Sequence, residues 1–142
     1  MSLTFSNSGK KINLSDIKDF QNKFKLNLPN EYIDFLLKYN GGIPNSVYFL
    51  EDDSDVVINF FLSLGREEFN IEEYYIDMVI EQKNIPNDIL PIAEDAFGNI
   101  ICISCRETDY GKIYFWDHED GESLIEISKN ISFLLNNLNE EV

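Results

Sequence analysis

The stretch Leu28-Pro29-Asn30-Glu31-Tyr32-Ile33-Asp34-Phe35-Leu36-Leu37-Lys38-Tyr39-Asn40-Gly41-Gly42 contains a whole helix with its start and stop written out. Proline suits a first helical turn, where its missing N–H has no intrahelical partner anyway, and glycine readily takes the left-handed conformation that ends a helix. Pro29 and Gly41 stand at those two places. Between them Tyr32, Phe35, Leu36 and Tyr39 recur at helical spacing, and Ile33 and Leu37 widen the stripe. Such a stripe predicts a helix buried along most of one side.

Outward from this helix the pattern continues in both directions. Before it, Ile17, Phe20 and Phe24 predict a helix over 15–25, capped by Asn13 or Ser15. After it, the run 46–50 reads as a strand, 51–55 as an acidic turn, and 56–62 as the second strand of a hairpin. Asn70 and Glu73 have the spacing of a reciprocal cap, which predicts a third helix over 71–83 with Tyr75, Met78 and Val79 inward and Pro86 beyond its end. Three strands follow at 90–93, 100–104 and 112–117, split by turns at Phe97-Gly98-Asn99 and Asp109-Tyr110-Gly111. A short strand at 123–127 leads to a last helix, capped by Ser128, on which Ile131, Leu134, Leu135 and Leu138 share a face. Connections this short favour antiparallel neighbours. Helices at the ends and strands in the middle predict an α+β fold, a central antiparallel sheet with helices packed mainly on one side.

The opening words of the quoted helix, running through its two leucines to Tyr39-Asn40-Gly41-Gly42, resemble the signature of the SUKH superfamily. A second stretch agrees with it: Ile92-Ala93-Glu94-Asp95-Ala96-Phe97-Gly98-Asn99-Ile100-Ile101-Cys102-Ile103, then Gly111 through Trp116-Asp117-His118. The resemblance spans about 15–138 of a single expected domain, 1–142, while 47–84 match no motif. It implies the same α+β arrangement. It also implies a binding role: yeast members are cell-wall-synthesis regulators, and bacterial members confer immunity against polymorphic or contact-dependent toxins, many of them nucleases.

Composition sets the outer bounds. With 142 residues, 44% of them apolar, the chain hides about 70% of its unfolded surface in one core. The core is ring-rich, with 11 Phe, 7 Tyr and 1 Trp, and no apolar run approaches the ~20 residues that cross a bilayer. The first residues lack the basic start and apolar centre of a secretory signal, so a cytoplasmic location is expected. Net charge is −15, from 26 acids against 11 bases. Such an excess repels phosphate backbones and accelerates encounters with cationic partners; an acidic exterior also simply keeps a protein soluble.

Chemistry-bearing residues are few. Cys102 and Cys105 form a C-x-x-C, but they lie along a strand, where residues three apart point to opposite faces, and His118 is the sole histidine. That set falls one ligand short of a closed zinc site. His118 beside Asp117, Glu119 and Asp120 has the letters of a base with an orienting carboxylate, and equally those of a solvated acidic turn with no nucleophile placed for it. The clusters 51–55 and 119–122 lack the spacing of a calcium loop, and the first runs straight into Val56-Val57-Ile58 with no glycine. No glycine loop is followed by a phosphate-holding lysine. No enzyme activity, cofactor or metal is therefore expected.

What remains is surface. Glu67, Glu68, Glu72, Glu73, Asp77 and Glu81 lie on or just before the third helix, and the sequence reading aligns them with Asp52, Asp53 and Asp55 as one acidic face. Partner binding is expected at Asp52, Asp53, Asp55, Glu72 and Glu73, with Tyr74 and Trp116 as aromatic anchors. The expected partner is a basic toxin domain, not nucleic acid or membrane. A regulatory or scaffold domain binding a host protein is the alternative, and a small hydrolase built on His118 the third reading.

Overall fold

The computed structural model describes residues 3–51, 54–120 and 123–140. Its chain begins with β1 (Phe5–Ser6), α1 (Leu14–Phe24), α2 (Asn30–Lys38), β2 (Ile43–Pro44), β3 (Tyr48–Glu51) and β4 (Ser54–Phe61). Next come α3 (Ile71–Tyr75), a π-helical continuation (Ile76–Glu81), β5 (Ile89–Asp95), β6 (Ile100–Ser104) and β7 (Ile113–Trp116). The described chain closes with β8 (Leu124–Ser128), α4 (Ile131–Asn136) and β9 (Leu138–Asn139).

The sheet is fully antiparallel, seven strands in the order β8-β7-β6-β5-β4-β3-β9, so the fold class is α+β as expected. Three of its ladders carry register shifts, at Ile58/Phe60, Pro91/Ala93 and Ile113/Tyr114. The second explains a proline in a central strand: Pro91 sits where the ladder is already broken, so its missing N–H costs no pairing. All five residues of β6 are buried, as are six of the seven of β5. Both faces of the sheet's centre are therefore covered, and apolar residues run continuously there instead of alternating.

The quoted helix forms, with its signals shifted by one residue at each end: Pro29 precedes the first turn, and Asn40, at φ +45°, is the first left-handed residue after the last. Pro29 stands at the cap position, its carbonyl accepting from the N–H groups of Tyr32 and Ile33 at 3.0 Å each. Tyr32, Phe35 and Leu36 are buried. Phe35 meets Phe61 of β4 with ring centroids 5.2 Å apart, and Phe49 of β3 meets Phe133 of α4 at 6.4 Å. Each fully buried ring stabilises by roughly 1.5–3 kcal/mol through area removed from water. Asn13 caps α1 in a complete reciprocal box with Asp16, which decides between the two candidate caps.

Elsewhere the structure departs from the sequence reading. The ribbon of β1 and β2 was not expected; it is fixed by Phe5, whose ring packs on Phe35, Tyr39 and Phe61. The third helix is α-helical only to Tyr75, then widens into the π form and ends at Glu81 rather than Lys83, whose φ is +58°. Asn130, not Ser128, caps α4, while the Ser128 hydroxyl donates to the Asn130 carbonyl at 2.7 Å. Leu138 leaves the helix altogether. The open edge of β3 competes for it: β9 pairs Leu138 with Phe49, and the Asn139 carbonyl accepts from the Val47 N–H at 3.1 Å.

The two edges of the sheet differ. β9 is two residues long, whereas β8 presents five, with Ile125 56% exposed beside exposed Glu126.

Candidate functional site

Because β3 to β8 form a continuous meander, the β3–β4, β5–β6 and β7–β8 connections fall at one end of the sheet. The registers Leu50 with Asp55, Glu94 with Ile100, and Trp116 with Leu124 mark that end. Its described acids are Glu51, Asp55, Asp95, Asp117, Glu119 and Asp120, and no lysine or arginine lies in 51–55, 95–99 or 117–123. Arg106, Lys112 and Lys129 sit beyond the opposite ends of β6, β7 and β8. Beyond Val57, whose carbonyl accepts from the Ala96 N–H at 2.9 Å, β4 runs three residues further, an overhang of about 10 Å.

The β5–β6 turn is held by Asp95. Its carboxylate, 3% exposed, accepts from the backbone N–H groups of Phe97 and Asn99 at 2.8 Å and from the Asn99 side-chain amide at 3.0 Å. Asn99 in turn accepts from the His118 N–H at 3.1 Å and lies 2.7 Å from His118 Nδ1, tying this turn to the next hairpin. Gly98, at φ +87°, supplies the left-handed residue the turn needs. The result is a stiff platform from which Phe97 projects, 71% exposed.

Among the described residues, those expected to bind a partner do not form one face. Asp52 and Asp53 lie outside the described residues; Asp55 is exposed on the overhang. Glu72 and Glu73 belong to α3, whose start is bonded to Ser63 beyond the other end of β4, with the Ile71 N–H donating to the Ser63 carbonyl at 3.0 Å. Asp55 and Ser63 are eight residue steps apart along an extended chain, roughly 25 Å. Glu72 is ion-paired with Lys23 beside an open hollow of 390 Å³ with a rim of mixed charge, while Glu73 is exposed. Tyr74 is half-buried and donates to a Glu94 carboxylate oxygen at 3.1 Å; burial and that carboxylate push its phenol well above the ordinary range. Trp116 does not have the surface position expected of an anchor. Only 4% exposed, it lies in β7 between Ile100 and Leu124 with its indole N–H unpaired.

The groups with chemical potential are quiet. Burial pushes the Cys102 thiol far up and the Cys105 thiol up to about 12, the latter helped by Asp88, so neither is a nucleophile at neutral pH. His118 is exposed on the turn, its Nδ1 already engaged with Asn99. Among the described residues no three of His, Cys, Asp and Glu group so as to hold a metal. No helix of the described residues is long and apolar enough to cross a membrane. At the opposite end of the sheet, Asp109 accepts from Ser104 Oγ and Tyr114 Oη at 2.5 Å each and pairs with Arg106. The Arg106 bonds come first among the causes that hold its carboxyl far below the usual carboxylate range.

An antiparallel sheet covered on both faces at its centre, with helices around it and an acidic hairpin end, defines the class as an α+β domain. Residues 11–137 match the SMI1 / KNR4 family (SUKH-1), and the chain belongs to that family. The family includes toxin immunity proteins, and its members often bind a partner toxin. The chain is also similar to the SPbeta prophage-derived uncharacterized protein YokK of Bacillus subtilis (strain 168), 28% identical over 122 residues. That match takes in 72% of this chain and 60% of the relative's length.

The hairpin-end site was only partly visible in the sequence. The acidic turns are visible in the sequence, but 51–55 is aligned there with the third helix, and 119–122 stands apart as a solvated turn. Phe97 was read as a turn residue, and its exposure had no sequence signal beyond an aromatic followed by Gly-Asn.

Proposed function

We propose that this protein is a non-enzymatic immunity protein of the cytoplasm, which neutralises a basic polymorphic or contact-dependent toxin domain by binding over its active cleft. The observation that carries the reading is membership of a family that includes toxin immunity proteins. The −15 charge is compatible with it, since a nuclease must keep a positive groove for its substrate and an acidic cover fits there. Asp52, Asp53 and Asp55 are assigned to the contact, with Glu73 and Tyr74 as a separate, second group. No catalytic residue or cofactor is assigned.

The test is co-expression with the product of the gene that neighbours this chain's own. Rescue of growth and recovery of a 1:1 complex, with an association rate that falls as salt rises, are the expected results. Full toxicity in the presence of the folded protein, with no complex at micromolar concentration, rejects the immunity reading and leaves the regulatory or scaffold role.

A further inference from the structure

We infer that the hairpin end is the docking surface and that Phe97 is its central anchor, seated in an apolar recess of a cationic protein partner whose arginines and lysines meet the surrounding carboxylates. This rests on the immunity reading for the partner's identity, but its location is argued from the fold alone. Phe97 is the most exposed large apolar side chain of the described residues, at 71%, against 56% or less for Ile125, Tyr110, Leu14 and Ile80. A surface phenylalanine is ordinary; one mounted on a turn fixed by four hydrogen bonds through Asp95 and Asn99 is not. An anchor already held in its bound geometry loses little freedom on association, which is where affinity is gained.

The surroundings complete the pattern. Beside Phe97 the overhanging hairpin turns one face outward, on which Tyr48, Leu50 and Val57 are half-buried and Asp55 is exposed. On the other side stand Glu119 and Asp120, also exposed. An aromatic centre with a charged rim is the usual anatomy of a specific interface. The sign of the rim selects the occupant: with no lysine or arginine in any of the three turns, a cationic surface is attracted and an anionic one repelled.

Two measurements test this. In the first, the ¹⁵N-labelled protein is titrated with an octapeptide of alternating arginine and leucine. The largest amide shifts are expected at residues 55–57, 96–99 and 117–120, and Phe97→Ala is expected to weaken the peptide about tenfold. Shifts at residues 67–81 that exceed those at the hairpin end, or unchanged affinity in Phe97→Ala, overturn the assignment. In the second, the product of the gene that neighbours this chain's own is the probe. Phe97→Ala should bind it at least thirtyfold more weakly with an unchanged melting temperature, while Ile80→Ala binds as the unsubstituted protein does. Equal binding by Phe97→Ala and the unsubstituted protein overturns the anchor and leaves the immunity reading standing. Failure of the unsubstituted protein to bind rejects the immunity reading, and the peptide titration still decides the surface.

Discussion

The side chain of Asn40 pairs with both backbone groups of Leu64: its Oδ1 accepts the Leu64 N–H at 2.8 Å, and its amide donates to the Leu64 carbonyl at 3.0 Å. The same amide reaches the Lys10 carbonyl at 2.7 Å. One buried residue just past the end of α2 thus satisfies backbone groups from two other segments, and it does so at a φ of +45°, which asparagine tolerates better than most residues. Asn40→Ala leaves the two Leu64 groups buried and unpaired. The expected loss is about 3 kcal/mol, or roughly 10 °C in melting temperature by calorimetry.

Next to it, Gly41 has φ +77°, and a Cβ there would lie 2.5 Å from the Leu62 carbonyl oxygen. Gly41→Ala therefore meets backbone that cannot swing aside. Its urea midpoint should fall further than that of Gly65→Ala, which has a similar φ but open space around it.

This corner shows how far the sequence could be read. The letters Tyr-Asn-Gly-Gly announced a helix stop, which local rules capture. They did not announce that Asn40 would stitch in Leu64, because that partner lies 24 residues away. The same holds at the other helix ends. Asn13 and Asp16 were legible because capping is local, whereas Leu138 was misplaced because the unpaired edge of β3, about 90 residues earlier, outbids a helical face. The acidic face failed for a related reason: charge clusters were visible, but only the strand registers reveal that Asp55 and Glu72 stand toward opposite ends of β4 while the three hairpin turns converge. Trp116 read as an anchor because tryptophan favours interfaces, and burial in a ladder carries no local signal.

Asp109 gives the molecule an acid-sensitive element. Its carboxyl is held below the unfolded value of about 3.9 by Arg106, Ser104 and Tyr114, so folding favours the ionised form. That contribution is fully present above about pH 5 and declines as pH falls through the lower folded value. Asp109→Asn should be less stable at pH 7 by about 1–3 kcal/mol and should show a flatter stability profile below pH 5, measured by urea unfolding at stepped pH.

The thiols should be slow to react. With Cys105 at about 12 against a free-thiol value of about 8.5, the loss of thiolate outweighs the gain in nucleophilicity, for a net slowing of about a hundredfold. Cys102 should be slower still. Disulfide-exchange labelling at pH 7.5, with and without denaturant, measures this; labelling of the folded protein at the free-cysteine rate would contradict it.

Charge reversal separates the two acidic groups. Lysines at Asp52, Asp53 and Asp55 should slow association with a basic toxin domain by about tenfold at low ionic strength, an effect that fades toward 0.5 M salt. Reversal of Glu72 should do less, since Lys23 already offsets its charge. Stopped-flow association rates distinguish the two.

The unequal margins of the sheet bear on how this protein behaves when concentrated. A sheet with two long free margins can stack edge to edge without limit, each added molecule offering a fresh template. Among the described residues one margin is blunted by a two-residue strand, and β8 is the longer of the two edges that could recruit a neighbour. Pairing β8 with β8 uses the same edge on both molecules, so association along that route stops at a symmetric pair instead of propagating.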